Sequence, residues 1–193
     1  MDISSLSEAI NEDLNPLLSR MQSESDWGMV VVVECDDWSS QKGRRRFELR
    51  CDWVVECRCS PGAFERLGFF ASHPLLLSHM GQQSQLFFSS APVSAGEILL
   101  AALSSIEKSL GGWRSPEEIL SHKISSLRGV LAQGHGSLAL GPSSVIEAIA
   151  SDLNGLIDVT VVPSHKRDTN LVALTFDSQW LLCEAVQVVE IGS

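Results

Sequence analysis

The run "FELRCDWVVECRC", residues 47 to 59, constrains the fold more than any other stretch of this chain. Phe47, Leu49, Cys51, Trp53, Val55, Cys57 and Cys59 fall on one parity, and Glu48, Arg50, Asp52, Glu56 and Arg58 on the other, with Val54 the one exception. Period-two alternation of this kind is the mark of a half-buried antiparallel strand. "WGMVVVVECDDW" precedes it across the polar stretch "SSQKG", which predicts a hairpin. With the turn centred near Gln41 and Lys42, Asp37 is expected opposite Arg46 and Trp38 opposite Arg45. Further strands are expected at "QLFFSS", "SLAL", "LIDVTVVP", "NLVALTF" and "QWLLCEAVQVVEI".

Helix starts are marked by Ser-x-x-Glu at Ser5 and Glu8, Ser94 and Glu97, Ser115 and Glu118, and Ser144 and Glu147. Such capping boxes satisfy the first free backbone donors reciprocally. Apolar residues follow each at helical spacing: Leu6, Ile10, Leu14; Leu99, Leu103, Ile106, Leu110; Leu120, Ile124, Leu127, Leu131; Val145, Ile149, Leu153. The expected class is α+β, with antiparallel sheets and about four helices, in a single compact domain over 1–193. Sub-units at 1–92 and 93–193 are the alternative partition, the second ending in a three-stranded meander. Residues 4–18 and 143–157 agree at nine of fifteen aligned positions. Two readings stay open: a duplicated α-then-β unit, or shared capping chemistry.

Patterning excludes several functions. The chain has net charge −10, with 24 acids against 14 bases, which repels phosphate backbones and anionic lipid and favours a basic protein partner. No apolar run reaches the roughly 20 residues of a membrane-spanning helix. Five cysteines, an odd number without framework spacing, point to free thiols in a cytosolic protein. Cys57 and Cys59 share a strand face, but no second ligand pair accompanies them, and His73 and His79 straddle Pro74, so no metal is expected. The glycines of "QGHGSLALGPSS" match neither dinucleotide nor phosphate-loop spacing, so no cofactor is expected. No catalytic residue is assigned, because no nucleophile motif is present.

Two local anomalies remain. "KGRRR" places Arg44, Arg45 and Arg46 beside Trp38, either as a hairpin tip with cross-strand ion pairs or as a fork for an acidic group. Residues 61–92 hold five of the seven phenylalanines, among them Phe69 and Phe70, and Trp113 stands in "GGWR". These seven side chains are the expected partner-binding residues. The leading functional expectation is a non-catalytic, bacterial-type binding protein that neutralises or escorts another protein, as an immunity protein or chaperone does. Homo-oligomerisation is compatible with it. The rival is an enzyme or small-ligand module assembled from scattered groups such as His73, His79 or His135 beside Cys57.

Overall fold

The computed structural model describes residues 3, 6, 7, 10, 15–24, 26–36 and 43–191. The chain is mixed α and β, with antiparallel sheets, and divides into two compact units. Unit 1 comprises Met1–Leu76 with Asn170–Ser193, and unit 2, Leu77–Thr169, is inserted between them. The partition is therefore nested, and the boundary expected at 92/93 falls inside unit 2.

Unit 1 is a β-sandwich. One sheet has the order β12-β3-β2-β1-β5, from β1 (Leu17–Ser23), β2 (Met29–Asp36), β3 (Arg44–Asp52), β5 (Gly62–Ala63) and β12 (Ala185–Ile191). The other runs β4-β11-β10-β6, from β4 (Glu56–Arg58), β6 (Leu67–Phe70), β10 (Val172–Phe176) and β11 (Gln179–Cys183). Val31, Val33, Phe47 and Leu49 of the first sheet meet Leu67, Leu174, Phe176 and Leu181 of the second in one core. Ile3, Leu6, Ser7 and Ile10 have helical conformation; Leu6 and Ile10 enter that core, and Ser7 Oγ donates to the Leu67 carbonyl at 2.5 Å.

The outer face of β2 also buries Val30 and Val32. Arg20 and Glu48 lie opposite Val32, and Gln22 and Arg50 opposite Val30. Their aliphatic stems flank the valines while the polar heads pair at the surface, Arg50 with Glu48 at 3.1 Å and Arg20 with Gln22.

The 47–59 run is not one strand. It stops at Asp52, turns through Trp53 at φ 52°, and resumes as β4 in the opposite sheet. The 179–191 run does the same in reverse, with β11 in one sheet, β12 in the other and Glu184 between them. The amide of Glu184 donates to the Asp52 carbonyl at 3.0 Å, and that of Val55 to the Leu182 carbonyl at 3.0 Å, so the two crossings pin one another. Strands that change sheets at a bend make the corners of sandwiches.

Unit 2 packs α1 (Ala95–Leu110), α2 (Ile124–Leu131) and α3 (Ser143–Asp152) with a three-stranded sheet, β8-β7-β9: β7 (Gly81–Phe88), β8 (Gly136–Pro142), β9 (Val159–Arg167). Leu86, Phe88, Ile98, Ile106, Leu138, Ile146 and Ile149 form its core. Ser94 caps α1 as expected, accepting from the Glu97 amide. Ser115 and Glu118 form a full capping box, but on a 3-10 turn, Pro116–Glu118, that goes no further. Leu120 bridges Ala139, with the Leu140 amide on the Ile119 carbonyl and the Ser121 amide on the Leu138 carbonyl. That sheet-like pairing interrupts the helix expected over 115–132, which restarts only at Ile124. Ser144 caps nothing: β8 runs straight into α3, and Pro142 takes the cap position.

Among the described residues, three bounded helices thus stand where about four were expected; the bounds of the N-terminal one lie outside the described residues. Strand surroundings after the two similar segments differ. β1 pairs with its successor β2, whereas β9 pairs with β7, and β10 belongs to a different sheet in unit 1. The expected C-terminal meander is thereby replaced by strands in three sheets.

Candidate functional site

The corner where unit 1 changes sheets carries two unusual features. The first is aromatic. Trp27, in the turn between β1 and β2, stacks on Trp53 with ring centroids 5.4 Å apart and planes at 24°. Both residues are more than half exposed, 57% for Trp27 and 54% for Trp53. The arrangement is built: the Val54 amide donates to the Trp27 carbonyl at 2.8 Å, and the Glu24 amide to the Gly28 carbonyl at 3.0 Å. Trp53 holds a left-handed backbone, which costs an ordinary residue about 1–2 kcal/mol. A strained, exposed indole is a poor choice for stability alone, and such outliers concentrate at working sites. Around the pair, Glu24, Asp26, Asp52 and Glu184 are exposed, and the stretches 24–28 and 52–55 contain no base.

The second feature is sulfur. Cys51 is the penultimate residue of β3, Cys57 lies in β4, Cys59 follows it and Cys183 ends β11; all belong to or pack against the sandwich core. All five cysteines are free thiols. Cys57 is half-buried and its Sγ lies 3.9 Å from Met29 Sδ. A hydrogen bond from the Cys59 thiol lowers the Cys57 pKa to about 7; burial opposes this, and the Cys59 amide supports it. The same hydrogen bond, with burial and the Cys57 charge, pushes the Cys59 thiol up. Cys51 is also pushed up, first by its hydrogen bond with Cys183 and then by burial. Among the described residues, no group of three or more His, Cys, Asp and Glu side chains is arranged to hold a metal ion.

The residues expected from sequence are dispersed. Trp38 lies outside the described residues. Register puts Glu34 opposite Arg46 and Cys35 opposite Arg45, three residues from the pairing expected across the hairpin. Each arginine meets an acid: Arg44 with Asp36 at 3.2 Å, Arg46 with Glu34 at 3.1 Å, and Arg45 with Glu190 of β12 at 3.0 Å. Phe69 packs against the core. Phe70 is partly exposed, its ring 5.0 Å from His73 and close over Gly68 and Thr175. Trp113 is half-buried in unit 2 beside Gly111. Burial lowers the pKa of His73, in unit 1; His79 and His135 belong to unit 2.

Trp27 and Trp53 escaped sequence reasoning because Trp53 shares the parity of the buried residues. The signal was Val54: an apolar residue on the polar parity marks the phase break where the strand turns. Two open grooves in unit 2 offer little chemistry. One, of about 390 Å³, is lined by Val93, Ser94, Leu99, Ile124, Leu127 and Arg128; the other, of about 360 Å³, by Ser90 and residues 154–159. Neither contains a histidine or cysteine. Among the described residues, no helix is long and apolar enough to cross a membrane. Set against protein-family models, curated proteins and solved structures, the chain matches none of them.

Proposed function

We propose that this chain is a non-catalytic protein-binding protein of the kind that neutralises or escorts another protein, and that Trp27 and Trp53 anchor a basic partner. The half-exposed tryptophan stack carries the reading. Trp is the aromatic side chain that most favours a cation over its face, and Trp and Arg lead the residues that dominate interface energies. The surrounding acids add the matching field. Unit 1 holds sixteen acids and eight bases, net −8, while unit 2 holds eight and six, net −2. The attraction is therefore concentrated in the unit that carries the tryptophans, and it steers a basic surface toward them at long range.

The test is affinity capture of a stoichiometric partner from the native host, followed by binding kinetics with the full chain. Trp27→Ala and Trp53→Ala should each speed dissociation by at least about tenfold, as loss of an interface anchor does. Glu24→Lys with Asp26→Lys should slow association and flatten its salt dependence. A partner that is itself acidic, or one whose dissociation ignores both tryptophans, refutes the reading.

A further inference from the structure

We propose that Cys57 and Cys59 form an oxidant-reactive dithiol, in which Cys57 reacts with a hydroperoxide and Cys59 closes the disulfide. This stands apart from partner binding and rests on the thiol geometry. Cys57 sits in β4 opposite Leu181, on the sandwich side of its strand, with its sulfur 3.9 Å from Met29 Sδ and hydrogen-bonded with the Cys59 thiol. Cys35, Cys51 and Cys183 are fully buried, whereas Cys57 and Cys59 are only partly so, which leaves them the accessible thiols. Behind them in the sandwich, Cys51 hydrogen-bonds with Cys183 and interacts electrostatically with both Cys57 and Cys59. Glu56 and Arg58 alternate to the opposite face, where they pair at 3.4 Å.

The chemistry balances. The Cys57 thiolate attacks one oxygen of hydrogen peroxide, the O–O bond breaks, and the departing hydroxide takes back from solvent the proton that Cys57 released on ionising, becoming water. Cys57 is left as a neutral sulfenic acid. The negative charge that held the Cys59 proton has then gone. Cys59 attacks the sulfenic sulfur, the S–S bond forms, the S–O bond breaks, and hydroxide leaves with the Cys59 proton as a second water. Two thiols have lost two electrons to one peroxide.

Hydrogen-bond stabilisation of the Cys57 thiolate gives the step its driving species. At pH 7 a thiol titrating near 7 is about half ionised, against about 3% for one at 8.5, roughly a sixteenfold excess of thiolate. Its lower basicity weakens each thiolate about fivefold, which leaves a net advantage of about threefold at pH 7, rising to about sixfold at pH 6.

The test uses the full chain. Hydrogen peroxide should remove two hydrogens from the intact mass, dithiothreitol should restore them, and peptide mapping should place the link between Cys57 and Cys59. In Cys59→Ser, peroxide should leave a sulfenic acid on Cys57 that dimedone traps; in Cys57→Ser neither product should form. Iodoacetamide labelling of Cys57 in the unaltered chain should rise with pH to a midpoint of about 7, independently of whether the variants fold. A link mapped to Cys51 and Cys183, persistence of the mass loss in Cys57→Ser, or a labelling midpoint at the ordinary thiol value of about 8.5 overturns the proposal.

Discussion

Replacing Trp53 by alanine and by glycine separates what its backbone costs from what its indole does. Both variants lose the same ring and the same 5.4 Å stack on Trp27, so that contribution cancels between them. What differs is the left-handed φ of 52°, which the Val54 amide bond to Trp27 and the paired strand crossings hold in place. Alanine keeps the steric cost of that conformation, about 1–2 kcal/mol, and glycine removes it. Glycine in turn gives up about 0.5–1 kcal/mol through its freer unfolded chain. The balance makes Trp53→Gly more stable than Trp53→Ala by about 0.5–1 kcal/mol, although glycine is the less stabilising residue almost everywhere else. Urea denaturation followed by circular dichroism measures the difference, with the transition of unit 1 as the readout. Partner binding should be lost equally in the two variants. If alanine proves as stable as glycine, Trp53 is not strained, and the argument from strain to function fails with it.

Four other outcomes are expected. Gly68→Ala should cost about 1–3 kcal/mol in thermal or chemical denaturation, because a methyl group there collides with the Phe70 ring and Thr175 Oγ1. Ser105→Ala should cost about 1–2 kcal/mol, since the buried Ser105 hydroxyl donates to Asp152 at 2.5 Å. Glu118→Gln should cost about 1–3 kcal/mol by replacing with a neutral amide the carboxylate that accepts from the buried Arg114 Nη1 at 2.9 Å, and Arg114→Met alongside it should recover part of the loss. Burial lowers the His73 pKa, so the unfolded chain takes up the proton first. Its contribution to stability is complete above the unfolded value of about 6.5 and shrinks as pH falls toward the lower folded value, which denaturation midpoints of wild type and His73→Phe across that range will show.

Legibility from sequence followed the range of the interactions involved. The Ser94 cap and the alternation of residues 44–52 are local, and the pattern revealed both. The box at Ser115 was real too, yet local capping does not set helix length: pairing of residues 119–121 with β8 stopped that helix after one turn. The 47–59 run concealed a change of sheet, because its inward parity stays apolar on either side of the bend and only Val54 interrupts it. In 179–191 the core-facing residues change parity across Glu184, from Leu181 and Cys183 to Val186 and Val188, inside a run too uniformly apolar for the break to stand out. The hairpin register moved by three residues because cross-strand ion pairs at Arg44 and Arg46 suit more than one alignment, whereas the partners in β12 are remote in sequence. The tryptophan pair and the contact of Cys51 with Cys183 required knowledge of that corner, whereas strand spacing had already put Cys57 and Cys59 on one face.

The nested partition has a consequence for synthesis. Unit 1 cannot complete either sheet until β10, β11 and β12 have been made, whereas every strand and helix of unit 2 is already in the chain by residue 167. Unit 2 can therefore fold before unit 1 has all of its strands. Its first strand pairs with its last, Gly81 opposite Arg167, and Arg167 Nη1 donates to the Ser78 carbonyl at 2.7 Å while Thr169 Oγ1 donates to that of His79 at 2.6 Å. Folding of unit 2 thus draws together the two points at which unit 1 is cut. A flexible insertion of about 90 residues imposes a length-dependent closure cost of about 4 kcal/mol on whatever it interrupts. The β7 and β9 pairing removes most of that cost before unit 1 begins to close. Lesions that unzip β9 should accordingly slow the folding of a sandwich to which β9 contributes no strand.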